Sequence, residues 1–180
     1  MKFGSIPVVF ITFNRPSCAR LSFKAIKKYK PKKLFLIADG PRKNHVTDNI
    51  NCAKVKKIIS NVDWNCKVYK NFSNRNLGIK KRIISGLDWV FLRTKFAIII
   101  EDDCLVNRSF FNFCEVMLKK YNNNNKIFMI SGTNFINNFY KNTDYFFSNF
   151  GSFWGWATWK RSWKKYRYKK NFWINFRKKN

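Results

Sequence analysis

The hydrophobic positions of this chain fall into short apolar runs separated by stretches with a helical repeat. Ile6 to Thr12 (IPVVFIT) is β-branched and nearly continuous, the pattern of a buried strand. Asn14-Arg15-Pro16-Ser17 breaks it, and Pro16 suits the start of a helix, where its missing N–H costs nothing. Cys18, Leu21, Ala25 and Ile26 then recur at helical spacing as far as Tyr29, and Pro31 ends that helix. Leu34 to Ala38 predicts a second strand, turned by Asp39-Gly40-Pro41. A helix from about Asp48 to Ile59 and a weak third strand from Cys66 to Tyr69 follow. Leu77-Gly78 opens the clearest helix, with Ile79, Ile83, Ile84, Leu87, Val90 and Phe91 as its apolar face. Phe96 to Ile100 is the fourth predicted strand. Phe110 to Tyr121 predicts a helix with Phe110, Phe113, Cys114, Met117 and Tyr121 inward, and Ile127 to Ser131 a fifth strand.

Strands alternating with helices predict βαβ units and an α/β fold with a mostly parallel sheet flanked by helices. On that reading Thr12, Asp39 and Glu101 to Asp103 all fall at C-terminal ends of strands, the edge where open α/β sheets bind ligands. The segment Ala97 to Asp103 (AIIIEDD) matters most. The chain has nine Asp and Glu in all, so a third of its acid lies in this one tripeptide. Three adjacent carboxylates disfavour one another's ionised forms unless a cation lies nearby. Hard oxygen ligands suit Mg²⁺ or Mn²⁺, with substrate phosphates completing the shell. A solvated acidic turn is the plainer alternative. No GxGxxG or GxxxxGK[ST] is present, which argues against dinucleotide and P-loop readings.

Composition narrows the class. At 180 residues with 46% hydrophobic content the chain suits one domain. Its apolar runs are too short to span a bilayer, and Met1 to Ser5 shows no signal-peptide pattern. Five Cys with no CxxC pair, and one His, suggest neither a zinc site nor a disulfide framework, so the reading is a reducing cytoplasm. The net charge of +28 has three readings. Codon bias toward Lys and Asn ranks first, attraction to an anionic membrane surface through Lys160 to Lys179 second, and nucleic acid last. After Ser131 the character changes to Asn-rich loops and aromatics, ending in Trp154-Gly155-Trp156-Ala157-Thr158-Trp159, which serves either as core packing or as a substrate platform.

Four segments carry a family resemblance: VVFITFNRP (8–16), LIADGPR (36–42), NLGIKKRIISGLDW (76–89) and IIIEDDCLVNRSFF (98–111). With WGWATWKRSW (154–163) they resemble bacterial family 2-like glycosyltransferases of the GT-A type. The EDD strand, the FF helix after it and the later GW segment are also similar to the N-acetylglucosaminyltransferase that initiates complex N-glycans. The resemblance implies a Rossmann-like GT-A nucleotide-diphospho-sugar transferase fold in one domain. Residues 1–131 would be the nucleotide-sugar-binding half and 132–180 an acceptor-side segment. The implied activity is metal-dependent transfer of a sugar, from UDP-sugar as the expected donor, to a glycan or lipid-linked acceptor in polysaccharide biosynthesis.

By the same resemblance Thr12 and Arg15 would line the nucleotide pocket and Asp39 would bond the base. Asn76 with Lys80 or Arg82 would meet ribose or phosphate, and Glu101 and Asp102 the ribose and metal shell. Asp103 would ligate Mn²⁺ or Mg²⁺, and Trp154 and Trp156 would lie on the acceptor side. Peripheral contact with the inner membrane face is a further expectation, and nucleic acid is not an expected partner. The chain departs from the pattern at the general base. The family's spacing lands near Asn149, which cannot accept a proton, leaving Asp144 as an offset candidate. No acid follows Asp144, so a truncated, non-catalytic nucleotide-sugar-binding remnant stands as the alternative, and a basic nucleic-acid binder as a third.

Overall fold

The computed structural model describes residues 4–135 and 143–166. Its elements run β1 (Val8–Thr12), α1 (Pro16–Tyr29), β2 (Lys33–Ala38), α2 (Val46–Ser60), β3 (Lys67–Phe72), α3 (Ile79–Phe91), β4 (Phe96–Glu101), α4 (Arg108–Lys120), β5 (Met129–Ser131) and β6 (Trp156–Trp159). The sheet order is β3-β2-β1-β4-β6-β5. β1 to β4 are mutually parallel, while β6 runs antiparallel to both β4 and β5.

Alternate residues of the inner strands face two cores. Val8, Phe10, Leu34, Leu36, Ile98 and Ile100 pack under α1, α2 and α4. Val9, Ile11, Phe35, Ile37, Ala97 and Ile99 pack under α3. Both faces are covered, which is why β1, β2 and β4 read as continuous apolar runs rather than alternating ones. Pro16 opens α1, and Lys30 closes it in the left-handed region at φ 53°. Asn107 caps α4 by accepting from the Phe110 N–H at 3.0 Å.

Three sequence expectations change. WGWATW contains a strand that periodicity did not reveal: β6 inserts between β4 and β5, pairing Phe96 with Trp159 and Ile99 with Trp156. Four residues are too few to show a period of two. Trp156 is therefore a core residue, 6% exposed, not an acceptor platform. Ile79, expected on the apolar face of α3, is 74% exposed. It sits in the first turn, beyond the part of the helix that crosses the sheet.

Trp159 fixes β6. It is 1% exposed, its indole N–H donates to the Leu118 carbonyl at 3.1 Å, and the Arg161 guanidinium covers its ring at 4.4 Å. Trp159→Ala leaves a large void at the joint between the parallel and antiparallel parts of the sheet. The expected loss is about 3–5 kcal/mol in urea unfolding. A loss below about 1 kcal/mol would show that β6 does not dock as described.

Candidate functional site at the C-terminal edge of the sheet

The C-terminal ends of β1, β2 and β4 are tied together by buried carboxylates. Asp39 follows β2 and is 5% exposed. Its carboxylate accepts from the backbone N–H of Gly40 (2.9 Å), Leu77 (3.0 and 3.1 Å) and Gly78 (3.2 Å). The sequence reading aimed this side chain at a base, and aimed the N-terminus of α3 at a phosphate. The structure spends each on the other: Asp39 occupies the anion position at the head of α3. Asn76 completes the clasp, donating to the Gly40 carbonyl at 3.1 Å and accepting from Gly78 N–H at 3.1 Å. The two loops approach so closely that a Cβ on Gly40 would lie 2.4 Å from the Arg75 nitrogen.

Asp102 does the same between β4 and β1. It is 2% exposed and accepts from Phe13 N–H at 3.1 Å and from the Arg15 guanidinium. Its carbonyl accepts from the Ser22 hydroxyl at 2.9 Å. Burial raises the Asp102 carboxyl above its ordinary range, and the Phe13 and Arg15 contacts offset only part of that. Thr12 is likewise committed. Its hydroxyl donates to the Ile37 carbonyl at 3.2 Å, so it is a strand-end link and not a pocket donor. Arg82 is 5% exposed and bonds the Asn71 carbonyl (2.6 Å) and side chain (2.9 Å), with its buried Nε unpartnered. Burial lowers its pKa. It braces α3 on β3 and does not face an open pocket.

Arg15, Glu101 and Asp103 remain at the surface. Asp103 is exposed, and one of its oxygens lies 3.1 Å from Arg15. Among the described residues the other meets only the Cys104 thiol, at 3.9 Å. Glu101 is half-buried at the end of β4. Burial, then the charges of Asp103 and Asp102, raise its pKa, against the lowering effect of Arg15. Asp103 forms one rim of a cleft of about 510 Å³ lined also by Cys104, Val106, Phe110, Gly132, Thr133 and Trp154. Trp154 thus lines the same cleft as Asp103. Lys80 does not: it lines a separate groove on α3 with Ile79, Lys81 and Ser85.

Asp144 is not brought to this cleft. Its neighbour Tyr145 accepts from Lys120 at 2.7 Å and bonds the Tyr121 hydroxyl at 2.8 Å, at the C-terminal end of α4. Asp103 lies beyond the other end of α4, a helix about 20 Å long. Asn149 is exposed, on the loop beyond Tyr145.

No group of three or more His, Cys, Asp or Glu among the described residues could hold a metal. With Asp102 committed to Phe13 and Arg15, the tripeptide offers one exposed carboxylate, seconded by Glu101. That suits Mg²⁺ or Mn²⁺, which take one or two protein carboxylates and leave the other positions to water and phosphate.

Sequence reasoning missed a third clasp. Asp48, in the first turn of α2, is 1% exposed. It accepts from Asn14 (2.7 Å) and from the Arg42 backbone N–H (3.1 Å) and guanidinium (2.8 and 3.1 Å). Asn14 and Arg42 lie in segments quoted above, but nothing in one sequence links them to an acid on a neighbouring helix. A lone acid in a first helical turn reads as a dipole partner.

No protein-family model and no curated protein matches the chain. Among solved structures it is similar to 4-diphosphocytidyl-2C-methyl-D-erythritol synthase from Anaerococcus prevotii, with TM-score 0.50 and 12% identity, over 91% of this chain and 77% of that one. The likeness is one of fold. The chain has a Rossmann-like α/β fold, a mostly parallel six-stranded sheet between helices.

The Arg42 hydrogen bonds hold Asp48 well below the usual carboxylate range. A depressed folded pKa gives stability that is complete above the unfolded value, near 3.8, and is lost as pH falls through the folded one. Asp48→Asn should therefore lower Tm at pH 7, and its deficit against wild type should shrink steadily below pH ~4. A deficit that stays constant with pH would remove the ion pair from the account.

Proposed function

We propose that this protein is a nucleotide-dependent transferase that moves a sugar from a nucleotide-diphosphate sugar, UDP-sugar first, to a glycan or lipid-linked acceptor with a divalent cation. The observation that carries the reading is Asp103: an exposed acid at the end of a central parallel strand, on the rim of a cleft, with one oxygen uncommitted to Arg15. The fold adds support. The similar synthase bears the name of a diphosphocytidyl compound, and ligands of open α/β sheets sit at this edge.

Asp103 would hold Mn²⁺ or Mg²⁺, with Glu101 beside it and Arg15, kept on the buried Asp102, at the edge of the same site. When bound, the dication stabilises the charge that develops on a departing diphosphate. Glu101 and Asp102 favour this electrostatically. Their raised pKa values mean that the folded protein resists their ionisation, a penalty that appears as pH rises past the unfolded values and is complete above the folded ones. A dication relieves it, so stabilisation by metal should grow with pH through that window.

Base selection comes from groups other than Asp39, whose oxygens already meet three backbone N–H groups. The loop 39–42 and the Phe13 ring, with the Arg42 guanidinium 5.5 Å from its centroid, are the surfaces left for a base.

Calorimetry with UDP in Mn²⁺ tests the assignment. Loss of outer partners of a metal ligand costs about 10- to 100-fold in affinity, so Asp103→Asn should cost at least that, with the fold intact by circular dichroism. Equal UDP affinity in wild type and variant, or affinity indifferent to chelator, would sink the metal reading.

A second reading, donor binding without efficient transfer, is favoured by one observation. Among the described residues lining the cleft, Asp103 is the sole carboxylate. Positioned base catalysis contributes about 10²- to 10⁴-fold. UDP release from UDP-sugars should therefore be slow, metal-dependent and little changed by acceptor. Strong acceptor stimulation would show that a base is supplied and would remove this second reading.

A further inference from the structure

Residues 145–159 read YFFSNFGSFWGWATW and carry no formal charge, in a chain that is 26% charged. Part of this stretch is core, as Trp156 and Trp159 show. The rest is not: Phe147 is 63% exposed, Phe150 91%, Phe153 55% and Trp154 63%. Phe135, T-shaped on Trp154 at 5.8 Å, is 68% exposed. Among the described residues, cations flank this apolar stretch and none lies within 145–159, while Asp144 precedes it. Lys120 lies 5.0 Å from the Tyr145 ring, Lys165 lies 5.5 Å from the Phe128 ring, and Lys126 is exposed nearby.

We propose that the loop 147–154 is a membrane-docking element, its aromatic side chains entering the headgroup region of an anionic bilayer while Lys120, Lys126 and Lys165 rest on the lipid phosphates. Apolar burial and attraction to anionic lipid add in such contacts, and aromatic rings settle at the interface. Charge segregation selects this occupant. A single-stranded nucleic acid needs cations interleaved with its stacking rings, because a phosphate accompanies every base. Here the cations are kept outside the aromatic run. A second copy of the chain, also at +28 overall, would be repelled on approach. Trp154 lines both the exposed surface and the Asp103 cleft. If the transferase reading holds, the cleft opens beside the bilayer and the acceptor is lipid-borne.

The test is flotation of the full chain with phosphatidylcholine vesicles, with and without phosphatidylglycerol. Wild type should float with the anionic vesicles and release in high salt. Phe147→Ser/Phe150→Ser should weaken partitioning by about tenfold or more, and Lys126→Glu/Lys165→Glu should weaken it too. Phe150→Ser alone, at a 91% exposed position, gives the same sign without risk to the fold. Flotation unchanged by the phenylalanine variants would overturn the proposal in favour of charge alone. Loss of single-stranded oligonucleotide binding in those variants, with flotation intact, would overturn it in favour of nucleic acid. Failure to bind UDP while flotation persists would count against the transferase reading and uphold this one.

Discussion

A carboxylate buried without partners is too costly to keep, and at this sheet edge the partners come from the neighbouring crossover. Asp102 at the end of β4 is satisfied by Phe13 and Arg15 on the β1–α1 turn. Asp39 at the end of β2 is satisfied by Leu77 and Gly78 at the head of α3. Asp48 on α2 is satisfied by Asn14 and Arg42 from the turns after β1 and β2. Each acid would be uncompensated if its loop moved, so the loops are fixed in place. Parallel sheets leave these loops at one edge, and that edge is where the candidate site lies.

The acid cluster then divides into unlike parts although its residues are adjacent. Successive side chains leaving a strand point in different directions. Glu101 lies half-buried at the strand end, Asp102 turns into the protein, and Asp103 faces the cleft. Arg15 touches both aspartates, so one guanidinium stands against three acids. Burial raises Glu101 most, and that residual negative charge adds to it. A metal bridging to a diphosphate would answer it, and so would a cationic group of another ligand. The metal has the stronger case because Asp103 keeps an oxygen free of Arg15.

Much of the framework was legible in the sequence. The β-branched runs gave β1, β2 and β4 to within a residue or two, and Pro16 and Pro31 marked the ends of α1. The three-acid tripeptide lies, as read, at the C-terminal end of a strand. What was illegible was direction and pairing. One sequence places Asp39 at a strand end but cannot say that its carboxylate turns toward Leu77, 38 residues on, rather than outward. Arg82 and Trp156 are polar or amphipathic types in motif positions, and their burial depends on packing against β3 and β4 that local pattern does not encode. β6 was missed because an antiparallel insertion next to β4 breaks the βαβ alternation on which the reading relied. The position of Asp144 away from the cleft was illegible for a related reason: spacing along the chain says nothing about which end of α4 the segment passes.

The distribution of acid changes how the net charge acts. Of nine acids, Asp48 pairs with Arg42, Asp63 with Lys27, Glu115 with Lys119 and Asp102 with Arg15, while Asp88 accepts from the Trp163 indole and Asp39 from backbone. Few acids are left to offset the exposed lysines, so the outer field is positive nearly everywhere. That field draws an anion from a distance only weakly, since screening at physiological salt acts over about 8 Å. Inside that distance local charges decide. At the Asp103 rim the local charge is negative, and an anionic diphosphate gains nothing there without a cation. The 147–154 loop itself carries no charge, with Lys120, Lys126 and Lys165 and the one acid Asp144 around it, so an anionic surface would meet net attraction at the perimeter and apolar side chains in the middle. Local charge therefore sets the two places apart: the acids at the cleft call for a cation there, whereas the uncharged loop among lysines favours an anionic surface.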